Sequence, residues 1–185
     1  MIKGGVGGEN TKTGLVFEKG QDMRIAFNEL DDYKVKENEL YYKNKIVAKF
    51  YKKNDLYSGL LKEHNINWET ILSKRLLPDE AILILMDKIL YVIEMKYQEV
   101  AGSTDEKLQT CDFKLKQYRK LLMRTNIQVK FIYLLCNWFK NPKYKDTMNY
   151  IKSVGCYYYF GEDLKNNQVT LPLNILGLPE SKQIK

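Results

Sequence analysis

Two short, continuous apolar runs dominate the middle of the chain. Ala81-Ile82-Leu83-Ile84-Leu85-Met86 and Ile89-Leu90-Tyr91-Val92-Ile93 are strand-length and apolar at every position, as expected of strands covered on both faces. The polar pair Asp87-Lys88 between them predicts a hairpin turn. With that pair at the centre, antiparallel pairing sets Asp79 across from Lys96 and Ala81 across from Glu94. Side chains alternate along a strand, so Glu94 and Lys96 share one face while Ile93 and Met95 take the other.

The remaining pattern predicts alternating helices and strands. Residues 13–30 carry Leu15, Phe17, Ile25, Ala26 and Leu30 at helical intervals, with Gly20 as a weak point. Residues 39–52 read as a second hairpin, Leu40-Tyr41-Tyr42 and Ile46 to Tyr51, turning at Lys43-Asn44-Lys45. A helix is expected around 55–64, then an irregular stretch holding Trp68 and Arg75. After Lys96, Gly102 ends the strand and Ser103 or Thr104 can cap a helix over roughly 104–123, which buries Leu108, Cys111, Leu115, Tyr118 and Leu122. A strand at 127–136, a helix near 143–152 and an aromatic strand from Cys156 to Phe160 complete the set.

Composition narrows the class. At 185 residues, 44% hydrophobic and 29% charged, a single globular domain over 1–185 is expected, with a Gly-rich arm over about 1–12 and a tail that frays from about 179 to 185. The arm contains Thr11-Lys12-Thr13, but a phosphate-binding loop needs glycines where Thr11 and Val6 stand, so that reading fails. No secretory signal opens the chain and no apolar run approaches a membrane span, so a cytoplasmic protein with no membrane partner is expected. Cys111, Cys136 and Cys156 are widely spaced within apolar patterns and read as free thiols, not zinc ligands. The single histidine, His64, excludes chemistry that needs two imidazoles.

The formal net charge of +7 favours a polyanionic partner. Residues 34–53 hold seven Lys against two Glu, with tyrosines interleaved; residues 107–130 hold seven Lys or Arg against Asp112 alone. Both suit contacts with a DNA backbone, though solvated charged faces have the same appearance.

The chemistry concentrates at Pro78-Asp79 and, after fourteen intervening residues, Glu94-Met95-Lys96. Two carboxylates and an ammonium at one end of an apolar hairpin are costly unless they pair or hold a metal. A hard cation such as Mg²⁺, with Mn²⁺ as substitute, suits carboxylate ligands, and Lys96 is placed to orient water or steady a phosphorane. The plain alternative is an ordinary hairpin with a surface salt bridge.

This pattern resembles the PD-(D/E)XK nuclease superfamily, with the motif carried by Pro78, Asp79, Glu94 and Lys96. The segment from Glu94 through Thr110 is similar to small type II restriction endonucleases, and a coarser likeness extends to about Tyr159. The resemblance implies an α/β (α+β) restriction-endonuclease-like αβββαβ core, with a central mixed sheet flanked by helices. It further implies a metal-dependent endonuclease acting on double-stranded DNA, in which Asp79 and Glu94 hold the metal, completed by Glu18 on the first helix or the backbone carbonyl of Met95. Lys96 would act on the attacking water, and Gln98, two residues on, would lie within reach of the metal or its water. A homodimer and a companion DNA methyltransferase are the expected partners. One branch of the superfamily carries Gln-x-x-x-Tyr on the following helix; here Gln109 is followed by Phe113. A resolving or repair endonuclease on the same core, and a non-catalytic DNA-binding module, are the alternatives.

Overall fold

A computed structural model describes residues 23–98, 104–160 and 173–181. Seven strands form one mixed sheet in sequence order: β1 (Tyr33–Lys36), β2 (Glu39–Tyr42), β3 (Lys45–Phe50), β4 (Glu80–Ile84), β5 (Ile89–Lys96), β6 (Gln128–Leu135) and β7 (Tyr157–Phe160). From β1 to β5 the neighbours run antiparallel, whereas β5, β6 and β7 run parallel. The parallel strands require crossovers, supplied by helices α2 (Thr104–Leu108) and α3 (Cys111–Leu122) before β6 and α4 (Lys145–Ser153) before β7. Helix α1 (Met23–Asn28) precedes the sheet, and a π-helical segment (Leu56–Leu61) lies between β3 and β4. The predicted mixed α/β class is therefore found. Among the described residues no helix is long and apolar enough to cross a membrane.

Strand alternation divides the core into two layers. Ala81, Leu83, Leu90, Val92, Phe131 and Tyr133 pack with Leu108, Cys111, Leu115 and Tyr118 of α2 and α3. The intervening residues Ile82, Ile84, Tyr91, Ile93, Met95, Ile132 and Leu134 pack with Met23 and Phe27 of α1 and with Leu176 and Leu178. Every residue of β4 is buried, in accord with its unbroken apolar run.

Several boundaries differ from expectation. The β4–β5 connection is a four-residue turn over 85–88, so Ala81 pairs with Val92, not Glu94, and Ile84 with Ile89. Leu85 and Met86 extend the apolar run in sequence yet belong to the turn; Met86 is 80% exposed, and Lys88 adopts the left-handed backbone that closes it (φ 52°). The register thus moves by two residues, which preserves the alternation of faces. β1 is an additional strand, joined to β2 through Glu37-Asn38, while Lys43 and Asn44 alone form the β2–β3 turn, both left-handed as a two-residue hairpin demands. The helix expected over 104–123 is broken at Gln109-Thr110. There the Thr110 hydroxyl donates to the Lys107 carbonyl at 2.7 Å, a local bond that competes with helix continuation. Of the tail expected to fray over about 179–185, Pro179 and Ser181 are bonded to the fold, since the Tyr33 hydroxyl donates to the Pro179 carbonyl and Asp32 N–H donates to Ser181 Oγ at 3.2 Å, and residues 182–185 lie outside the described residues. The Gly-rich arm, the first part of the 13–30 helix and Ser103 lie outside the described residues.

Candidate active site

The site forms where β4 begins and β5 ends. Asp79 immediately precedes β4, and Glu94 and Lys96 lie two apart on β5, so alternation turns them to the layer that contains α3. The Asp79 carboxylate accepts the Met95 N–H at 3.0 Å, which pins the aspartate to the strand opposite. The Lys96 ammonium meets three oxygens: Met95 O at 3.1 Å, Glu94 Oε2 at 3.2 Å and Asp79 Oδ2 at 3.5 Å. Sequence spacing therefore identifies three side chains that the fold brings together. The corrected register explains this survival, because a shift of two residues along one strand keeps every side chain on its original face.

A fourth charged group joins them. Lys114, in the first turn of α3, places its ammonium 2.7 Å from both oxygens of Glu94. Cys111 and Tyr118 lie three before and four after it, so Lys114 shares the ridge by which α3 packs on the sheet. A lysine within an apolar helical stripe is the available signal in the sequence; what it meets depends on a contact across twenty residues of chain. The two carboxylates and the two ammonium groups balance in charge. Glu94 is only 4% exposed, so these contacts supply the pairing that a carboxylate at such depth requires.

The surroundings are tyrosine-rich and buried. Tyr133 is the register partner of Glu94 across β5 and β6, and its hydroxyl donates to the Lys107 carbonyl at 3.3 Å. Burial first, and then the Glu94 carboxylate, push the Tyr118 and Tyr133 phenols far above their ordinary range. The neutral form of both phenols is thereby favoured.

Gln98 lies beyond the end of β5 and is 8% exposed, with neither Nε2 nor Oε1 hydrogen-bonded among the described residues. Its backbone is clasped by Cys136: Gln98 N–H donates to Sγ at 3.3 Å, and the thiol donates to Gln98 O at 3.5 Å. The amide makes no hydrogen bond with Asp79, Glu94 or Lys96. Glu18 lies outside the described residues. Met95 buries its side chain in the opposite layer and offers the site only its carbonyl. His64 is exposed, and the three cysteines are free.

The basic surfaces are partly engaged internally. On the β1–β3 ribbon, Lys36 stacks over Tyr41 and Lys43 over Tyr42 at 5.0 and 5.1 Å, which stiffens lysines that still reach solvent. On α3, Lys116 pairs with Asp112 at 2.7 Å, while Arg119 and Lys120 are exposed.

Oxygen donors from Asp79, Glu94 and Met95 surrounding one cationic centre are a set that suits a hard divalent cation. Among the described residues no group of three or more His, Cys, Asp or Glu side chains is gathered for a metal, so a cation here would rest on two carboxylates, a carbonyl and water. Comparison of the chain with protein-family models, with curated proteins and with solved structures finds no match.

Proposed function

We propose that this protein is a Mg²⁺-dependent endonuclease that hydrolyses phosphodiester bonds of duplex DNA, on a restriction-endonuclease-like core. The observation that carries this reading is the meeting of Asp79, Glu94 and the Met95 carbonyl around the Lys96 ammonium. Three hard oxygens converge on this ammonium, and a second ammonium, Lys114, meets Glu94, within a basic protein suited to a polyanion. The succession of α1, the antiparallel strands β3 to β5, α3 and parallel β6 accommodates the αβββαβ order, with β1, β2 and β7 as additions.

In this reading Asp79 and Glu94 hold the cation, and the Met95 carbonyl completes the protein ligands. Bound there, Mg²⁺ would neutralise charge on the phosphate and lower the pKa of a coordinated water. The Met95 N–H fixes the Asp79 carboxylate, so that ligand is oriented before a cation arrives. Lys96 projects from the strand that carries Glu94, where it can orient the attacking water or contact a non-bridging oxygen. Tyr118, Tyr133 and the apolar layer beneath them keep bulk water from the buried side of Glu94. The exposed lysines of β1–β3 and the basic residues of α3 would carry the phosphate backbone, making binding strongly salt-dependent. A type II restriction enzyme is the specific form proposed. One such site cuts one strand, so a symmetric homodimer on a palindromic sequence, protected by a companion methyltransferase, follows from cutting both.

The test is digestion of an unbranched plasmid with Mg²⁺ or Mn²⁺, with sequencing of the ends on both strands. Discrete fragments with fixed ends are expected. Cleavage confined to four-way junctions would replace the restriction role by a resolving one. DNA that is bound in EDTA but stays intact at every metal concentration would overturn the enzymatic reading.

A further inference from the structure

Lys114 holds both oxygens of the carboxylate that the proposed metal site needs most. We propose that Lys114 is a displaceable counter-ion: it neutralises Glu94 while no divalent cation is bound, and it is released to contact the DNA phosphate when one arrives. This rests on the metal-dependent reading above and adds to it a second lysine with a defined sequence of contacts.

The argument starts from the Glu94 side chain, only 6% exposed, which needs a positive partner in any state of the protein. Lys114 provides it at 2.7 Å to each oxygen, whereas Lys96 is more distant from Glu94, at 3.2 Å, and also meets Met95 O and Asp79. A Mg²⁺ ion requires at least one of those oxygens at about 2.1 Å. An ammonium engaging the same carboxylate symmetrically would then stand within a few ångströms of a dipositive ion. Like charges at that distance repel strongly in a partly dehydrated site, so the two cations compete for Glu94.

The route of release follows from the helix. Cys111, Leu115 and Tyr118 anchor α3, so the backbone beneath Lys114 need not move. Its side chain is 25% exposed and flexible, able to swing towards solvent while its stem still covers apolar surface. Exchange of that ammonium for Mg²⁺ turns a balanced cluster into one with a positive charge to spare, which is what an incoming phosphodiester requires. Metal entry and phosphate capture are thereby coupled through one side chain.

The test uses the whole chain without DNA, titrated calorimetrically with MgCl₂ and MnCl₂, comparing wild type with Lys114→Met and Lys114→Gln. Removing the competing charge should tighten divalent binding at least about tenfold in both variants, and Lys114→Arg should stay near wild type. DNA affinity in CaCl₂ should move the opposite way, weakening at least about tenfold in Lys114→Met. Opposite signs separate this role from general damage, which would weaken both; circular dichroism selects the folded variants. Divalent affinity unchanged or weakened in a folded Lys114→Met or Lys114→Gln protein would overturn the proposal. Absence of divalent binding in every form would overturn it together with the metal site beneath it. Competition observed with DNA left intact would support the lysine exchange and overturn only the nuclease reading.

Discussion

Asp79 and Glu80 are neighbours in sequence, yet they face opposite layers of the sheet and live in different electrostatic worlds. Glu80 is fully buried in the layer of Ile82 and Ile84, and its carboxylate meets the Lys52 ammonium at 2.7 Å. The Asp79 side chain is 21% exposed and shares the Lys96 ammonium with Glu94 and a backbone carbonyl, while a second lysine presses on Glu94. The two arrangements answer different requirements. A short pair between a fully buried carboxylate and a lysine that still reaches solvent restores the charge balance that folding disturbs. In the Asp79 cluster two ammonium groups share two carboxylates and a carbonyl, the arrangement that the proposed exchange of Lys114 requires, since Lys96 stays to pair what remains. The proposed chemistry uses the Asp79 face, whereas the Glu80 pair serves the fold.

The largest expected effect tests that division directly. If the proposed nuclease reading holds, Asp79→Ala and Glu94→Ala should lower cleavage at least about a thousandfold while DNA binding and folding remain measurable, because each would remove a metal ligand. Lys96→Ala should cost about a hundredfold in turnover, the usual scale for a group acting on the water or the developing charge. Plasmid cleavage assays with each purified variant check both figures. An Asp79 variant that cuts normally would erase the contrast between the faces.

Next in size is the response of the closed pair. Lys52→Met removes an ammonium 2.7 Å from a fully buried carboxylate and should destabilise the fold by about 3 kcal/mol. For a chain of this length that corresponds to a fall in melting temperature of roughly 6 to 12 °C. Turnover of the remaining folded protein at saturating DNA should stay within about threefold of wild type. Thermal denaturation beside a cleavage assay separates the two quantities. A large loss of turnover with no loss of stability would place Glu80 with the chemistry instead.

Much of this contrast is legible in the amino-acid sequence, and the reasons are physical. Period-two alternation puts Asp79, Glu94 and Lys96 on one face even though the apolar pattern sets the turn two residues late, because parity survives a shift of two. The misplacement itself arises at Leu85 and Met86, apolar residues that the fold leaves in a turn; local hydrophobicity does not distinguish a buried strand end from an exposed loop. β1 is hidden in the sequence because Tyr33-Lys34-Val35-Lys36 is short, and its turn uses Glu37 in a left-handed conformation instead of glycine. Lys114 and Lys52 are invisible as partners for a different reason. Each meets its carboxylate across a loop or crossover, and no periodicity within one element encodes a contact between two.

The smallest expected effect concerns Gln98, which sits between the two categories. Its side chain is buried and, among the described residues, unbonded at both ends of the amide, an arrangement that ordinarily costs about 1–3 kcal/mol per buried group. A purely architectural position would favour an apolar side chain of similar volume, so Gln98→Leu should raise stability by about 1 kcal/mol. If the amide instead serves the site, for which its place two residues beyond Lys96 is suited, the same substitution should also slow cleavage at least about tenfold. The expected result is both together: a higher denaturant midpoint with an unchanged slope, and a slower enzyme. Greater stability with full activity would assign Gln98 to the wall of the fold. Lower stability would mean that the amide has a partner in solution, an ordered water being the simplest, and would remove it from the comparison altogether.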